Sequence, residues 1–213
     1  MSAGPEGYVT IDRRVEVEKE VSKSRFICAL LPVDSQEGAR MELETLKKKH
    51  CNASHNCSAV ITGDDRAYMR MSDDGEPRGT AGRPMLEVLK RSGLTYVMAI
   101  VTRYFGGTLL GAGGLSRAYG GVVGSALAFA QRVRVTPAER FLFTVDYSDY
   151  AKLQILSADF GAQPKVRFSD KVKAEVAVRA TEAERFKRRT AQAFTGADVY
   201  KVSGTCIIRE NID

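Results

Sequence analysis

No apolar run in the 213-residue sequence approaches the roughly 20 residues that a helix needs to cross a bilayer, which argues against a membrane protein. The N-terminal MSAGPEGYVTIDRR lacks the apolar core of a signal peptide, so a cytosolic location is expected. Cysteine is sparse. Cys28, Cys51, Cys57 and Cys206 are scattered through the chain, which excludes a secreted disulfide scaffold and predicts reduced thiols. The stretch from His50 to Cys57 holds both histidines and two of the cysteines, but no C-x-x-C or H-x-x-x-H partner occurs elsewhere. Half of a tetrahedral ligand set is therefore missing, and neither a structural zinc nor a resident cofactor is expected. Charge is not concentrated either. The net charge of +6 permits contact with nucleic acid or ribosomes, yet it divides almost evenly at Thr136-Pro137, so neither half is a basic arm.

What is present describes an ordinary folded protein. Hydrophobic content of 44% with 27% charged residues is globular, and the length suits two small domains. Tyr8 to Leu31 reads as a hairpin of two extended segments, and QEGARMELETLKKKH after Ser35 as a helix ending near His50, with Glu early and Lys late. Gly63-Asp64-Asp65 suits a turn between strands over 58–62 and 66–71. Pro84 suits the first turn of a helix that stops at Gly93, and Tyr96 to Thr102 reads as a strand buried on both faces. Helical spacing of Leu115, Ala118, Tyr119, Val122, Ala126 and Ala130 predicts a long helix opened by Gly113-Gly114. Its internal glycines imply close packing against a neighbour, since each costs about 1 kcal/mol of helix propensity. After Thr136-Pro137 the glycine clusters cease and the predicted order is β-α-β-β-α-β. We therefore expect an α+β chain with domains over 1–136 and 137–213, the second of them ferredoxin-like.

Three clusters carry possible chemistry. His55 suits a general base or a hydrogen-bond anchor, or caps the following strand. In MSDDGEPRGTAGRP, Asp73, Asp74 and Glu76 offer oxygens for a hard cation, or accept backbone N–H bonds and neutralise arginines in an ordered loop. Twelve of the 19 glycines fall between Gly75 and Gly124. Around Arg103, Tyr104, Gly106, Gly107, Gly113, Gly114 and Arg117 a strand, a glycine loop and a helix start follow one another, an arrangement that suits a phosphate or carboxylate at the helix N-terminus. The string is neither a Rossmann nor a P-loop fingerprint, and close backbone packing is the rival explanation.

The strings HNCSAV, SDDGEPRGTAGRPML and VTRYFGGTLLGAGGLSRAYGG, in this order and spacing, closely resemble the signature of the IMPACT family in its bacterial branch, over about residues 20 to 130. The family motif falls on His55, Asp74 to Pro77, Gly79, Thr80, Gly82 and Pro84, then on Arg103 to Gly107, Gly111, Gly113, Gly114, Arg117 and Tyr119. Family members often carry an aromatic residue where this chain has Ser58, which removes one platform for stacking a base. The resemblance implies an N-terminal α/β domain like domain IV of elongation factor G, and a C-terminal domain similar to elongation-factor modules. In eukaryotes the family regulates translation by competing for an activator of the kinase that phosphorylates an initiation factor.

Three functions compete. The first is a translation-related regulator or accessory factor that binds RNA, the ribosome or a ribosome-bound translation factor through the N-terminal motif surface. Arg185, Lys187, Arg188 and Arg189 on the last helix would supply auxiliary phosphate contacts, or form a solvated face. The second is an enzyme acting on a phosphorylated or carboxylated small substrate, with His55 and Asp74 or Glu76 as acid/base groups and Arg103 and Arg117 holding the anion. The third is a protein-interaction module that never meets nucleic acid. Convergence of His55, Asp74, Glu76, Arg103 and Arg117 on one narrow pocket would favour the enzyme, and a broad basic face with exposed Tyr104 or Phe105 would favour RNA.

Overall fold

The computed structural model of the chain describes residues 7–194 and 199–212, which form two compact units, one of residues 8–133 and 211–212, the other of residues 7 and 134–210. The chain is of mixed α+β type. In the first unit, β2 (Val15–Val21), β3 (Ser24–Pro32), β4 (His55–Thr62), β5 (Tyr68–Ser72) and β6 (Val97–Tyr104) form an antiparallel sheet in the order β2-β3-β6-β4-β5, with β1 (Tyr8–Ile11) preceding them.

Three helices cover the two faces of this sheet. Helix α1 (Gln36–Lys49) packs Ala39 and Leu46 onto Leu31, Val60, Met98 and Ile100. On the other face, α2 (Gly82–Ser92) and α3 (Gly111–Phe129) bury Met85, Leu89, Tyr119 and Val122 against Phe26, Cys57, Ala99 and Val101. Alternate residues of β6 thus point to opposite layers, and the continuous apolar run that predicted a strand buried on both faces has this explanation.

Local chemistry explains the element ends. The β2–β3 hairpin pairs Val21 with Ser24, so its turn is Ser22-Lys23, and both residues have positive φ (49° and 66°). This is the primed turn whose twist matches that of its strands. Gly106 lies against it: a Cβ there would stand 2.0 Å from the Lys23 carbonyl oxygen. Ser35 caps α1 by accepting a bond from Gly38 N at 2.9 Å. Pro84 sits in the first turn of α2, and Gly93 ends that helix with φ +75°.

Helix α3 begins at Gly111, two residues before the predicted Gly113-Gly114 start. Gly111 itself has a left-handed φ of +67°, so the chain turns into the helix at this glycine and not at the Gly113-Gly114 pair. Close packing does not account for the internal glycines, and only Gly120 faces a neighbour, at ordinary contact distance. A Cβ there would meet Val88 and Pro84 of α2 at 3.6 and 3.8 Å, whereas nothing lies within 4 Å of one at Gly121 or Gly124.

In the second unit, β7 (Arg132–Val145), α4 (Tyr147–Ala158), β8 (Lys165–Phe168), β9 (Val172–Arg179), α5 (Ala183–Ala193) and β10 (Tyr200–Ile212) follow the predicted order. The strands are hydrogen-bonded in the order β10-β7-β9-β8. Strand β7 starts eight residues before the expected Arg140, because the Thr136-Pro137 step stays extended, as the residue before a proline prefers. Leu153, Leu156 and Phe186 of the two helices pack with Phe141, Phe143, Val172 and Val176, so both helices cover the same face. Leu142, Thr144 and Lys173 alternate with these core residues and are exposed. Among the described residues no helix is long and apolar enough to cross a membrane.

Candidate functional site

The site is built where β4, β6, the 73–82 loop and the start of α3 meet. Asp73 organises the loop. Its carboxylate accepts N–H bonds from Gly79 (2.8 Å), Ala81 (3.0 Å) and Gly82 (2.8 Å), holding the first turn of α2. Burial pushes this carboxyl up, but the backbone bonds and the nearby Arg78 charge outweigh it and hold the Asp73 pKa below its ordinary value. Asp74 clamps the loop to β4: Oδ2 accepts from Asn56 N at 2.7 Å and Oδ1 from Lys47 Nζ at 2.8 Å. With Asp74 at φ 46° and Gly75 at φ 89°, the chain turns sharply and swings Glu76 inward.

Glu76 is the centre of a buried polar network. Its Oε1 accepts from Arg103 Nη1 and from the Tyr119 hydroxyl, each at 2.7 Å, and stands 3.9 Å from His55 Nε2. The Glu76 and Arg103 side chains are only 3% and 6% exposed. Arg103 also donates to Ser24 Oγ at 3.2 Å, and its guanidinium lies 5.4 and 5.5 Å from the ring centres of Phe26 and Phe105. Below Glu76, the Cys57 thiol lies 3.4 Å from the Tyr119 hydroxyl and 2.9 Å from the Asp73 carbonyl oxygen. Burial pushes the Cys57 thiol up to about 12, and burial together with Cys57 and Glu76 pushes the Tyr119 phenol upward as well. Neither is an activated nucleophile.

His55 Nδ1 lies 2.9 Å from the Asp74 carbonyl oxygen. A carbonyl only accepts, so Nδ1 donates this bond and Nε2 is the ring nitrogen turned towards Glu76. Above these groups opens a cavity of about 330 Å³ with His55, Glu76 and Arg103 in its wall, Phe105 and Leu109 at its lip, and Gly111 and Ala112 of α3 beside them. The lip is apolar and open: Phe105 is 49% and Leu109 87% exposed. Helix α3 has neither a side-chain cap nor an acidic residue in its first turn, so its N-terminal N–H groups and the positive end of its dipole face this region.

His55, Glu76 and Arg103 therefore converge, and other motif residues do not. Asp74 is occupied in holding the loop. Arg117 lies over the first turn of α3, its Nη1 3.4 Å from where a Cβ on Gly113 would be, and it is absent from the cavity wall. Tyr104 faces the α1 layer, with its hydroxyl 2.9 Å from His50 Nδ1 and Arg25 over its ring. Gly106 serves the hairpin contact described above, whereas Gly107 (φ +81°) and Gly114 shape the loop and the helix start, with only Leu110 near Gly114. On α5, Arg185 pairs with Glu182, Lys187 with Glu184 and Glu139, and Arg189 with Asp159. Among the described residues no group of three or more His, Cys, Asp or Glu side chains is placed to hold a metal ion. Sequence reasoning missed the second role of Tyr119, whose helical spacing marks it as core while nothing in the sequence tells that its hydroxyl caps Glu76.

Comparison with known proteins places this geometry in context. Residues 22–127 match the Impact N-terminal domain, and residues 143–197 match a domain of unknown function, DUF1949. The chain is 38% identical to the IMPACT family member YvyE of Bacillus subtilis (strain 168) over 191 residues, covering 89% of this chain and 88% of that one. It is 42% identical over 144 residues to the IMPACT family member YigZ of Escherichia coli (strain K12), covering 67% and 71%. A crystal structure described as that of a hypothetical protein is similar with a TM-score of 0.64 at 34% identity, covering 92% of this chain and 96% of that chain.

Proposed function

This chain belongs to the IMPACT family, and from that premise we propose that it is a translation-related regulator or accessory factor. It docks RNA, the ribosome or a ribosome-bound protein through the surface around the His55–Glu76–Arg103 cavity. The observation that carries this reading is the division of labour at the site. The ionic groups are buried and already partnered, while the groups presented outward are the apolar lip of Phe105 and Leu109 and the uncapped start of α3. A buried carboxylate–arginine pair joined to each other and to Tyr119 fixes a shape, and an exposed apolar lip beside N–H donors contacts a partner.

The finer fold assignments belong to the same reading. The strand order β10-β7-β9-β8 with two helices on one face supports a ferredoxin-like second domain. The compact units support a boundary near Thr136-Pro137, and the first domain is read as similar to domain IV of elongation factor G.

The test is co-sedimentation with ribosomes on sucrose gradients. Wild-type protein should travel with ribosomal particles, and Phe105→Ser/Leu109→Ser should not, with unchanged circular dichroism. Failure of the wild type to co-sediment, or equal behaviour of the variant, would refute the proposal.

One observation favours the enzymatic alternative. His55 lines the cavity with Nδ1 fixed on the Asp74 carbonyl oxygen, and the start of α3 lies in the same wall, where backbone donors suit a phosphoryl or carboxylate group. Glu76 beside it is tied through Oε1 to Arg103 and Tyr119.

A further inference from the structure

The second unit's sheet has helices on one face only, and the other face is unusually charged. Across it the register places Arg167 opposite Lys173 and Lys173 opposite Thr144, with Lys165 opposite Glu175 and Glu175 opposite Leu142 in the next row. A shallow depression of about 580 Å³ runs over these rows, with Lys165, Arg167, Lys173 and Lys201 along it. Glu175 is engaged by Arg140 at 3.3 Å. Among the described residues, none of the four cations has a carboxylate within 4.0 Å, and Asp170 feels the charge of Lys173 without pairing with it.

This arrangement works against the fold. Like charges directly opposite on neighbouring strands destabilise a sheet, and Arg167 and Lys173 are such a pair. A locally repulsive choice on an open face has a physical rationale if an anion relieves it.

We propose that this face is a binding surface for the phosphate backbone of RNA. Residues two apart on a strand lie about 6.6 Å apart and neighbouring strands about 4.8 Å apart, so the cations form a lattice fitted to successive phosphates. The face lacks what a protein interface needs at its centre. Leu142 is 42% exposed, whereas the other large apolar residues lining the depression, Phe143, Val166, Val199 and Tyr200, are buried or half-buried, so no exposed anchor stands at its centre. The rings of Phe143 and Tyr200 pack with each other and the core, 5.5 Å apart, and neither is exposed for a base to stack on. Contact is therefore with the backbone and indifferent to sequence. The auxiliary phosphate contacts move from α5, where three of the four basic residues are paired, to the sheet. This surface belongs to the second unit, and the proposal does not depend on the role of the first unit's cavity.

The test is fluorescence anisotropy of the full chain with a labelled single-stranded oligouridine, titrated between about 50 and 200 mM salt. Replacing Lys165, Arg167, Lys173 and Lys201 with Gln should weaken binding and flatten the log affinity against log salt slope by about 2.8, at about 0.7 per phosphate contact. Arg188→Gln, on α5, should leave the slope unchanged. Arg167→Gln alone should raise the melting temperature of the free protein while weakening RNA binding, which separates recognition from loss of fold. Unchanged affinity and slope in the folded fourfold variant would overturn the proposal. So would an equal effect of Arg188→Gln, no binding by the wild type at the lowest salt, or polyglutamate bound as tightly as RNA.

Discussion

Replacing Arg103 with Met probes the network that shapes the candidate site. The substitution keeps most of the side-chain volume but leaves Glu76, with a side chain 3% exposed, without its cation. Stranding one member of a buried pair costs about 3–5 kcal/mol. The Tyr119 hydroxyl still donates to Glu76, and Ser24 Oγ keeps the Gly106 N–H at 3.2 Å, so we place the loss near the lower end of that range. Against a total stability of roughly 5–15 kcal/mol, urea denaturation followed by circular dichroism resolves a change of this size. The double variant Arg103→Met/Glu76→Gln removes the uncompensated charge while keeping an acceptor for Tyr119, and its deficit should shrink to about 1–2 kcal/mol. A loss below about 1 kcal/mol in Arg103→Met, or a double variant no better than the single, would show that the pair is not the keystone of this loop.

Other consequences are simpler to test. Asp73 has a lowered pKa, so its stabilisation is complete above its ordinary value of 3.8 and is lost as pH falls through the lower folded-state value. Asp73→Asn should therefore flatten the acid limb of a melting temperature versus pH curve, and an unchanged limb would contradict this. Gly121→Ala and Gly124→Ala, on the open side of α3, should each stabilise the protein by about 0.5–1 kcal/mol in urea melts; destabilisation would reveal a close approach there. Cys51 should react quickly with a thiol reagent, whereas Cys28 and Cys57, buried and pushed up to about 12, should react only on unfolding.

The sequence disclosed the layers better than the site. Helical spacing located α1 and α3, Pro84 and Gly93 located α2, a continuous apolar run located β6, and the β-α-β-β-α-β order was legible from turns and alternation. Convergence was harder to read. His55 and Arg103 are paired across β4 and β6, a register that no local pattern reveals. Glycine also misled in part, since one residue type serves three purposes here: Gly106 for contact with a turn, Gly93 for a left-handed helix end, and Gly121 on an open helix face. On α5 a basic run suggested phosphate contacts, yet acids one turn away pair with Arg185 and Lys187, and Asp159 pairs with Arg189. Unpaired cations on the sheet were invisible because they come from separate strands.

The central claim is that the lip beside the cavity meets the translation machinery, and a photocrosslinker placed at position 109 tests it most directly. Leu109 is 87% exposed, so the probe should be accommodated without disturbing the fold. The account predicts that irradiation of cells joins the protein to ribosomal RNA, a ribosomal protein or a translation factor, and that the same probe at exposed Met41 on α1 gives far less of that product. Crosslinks confined to components outside translation, or equal products from both positions, would contradict it.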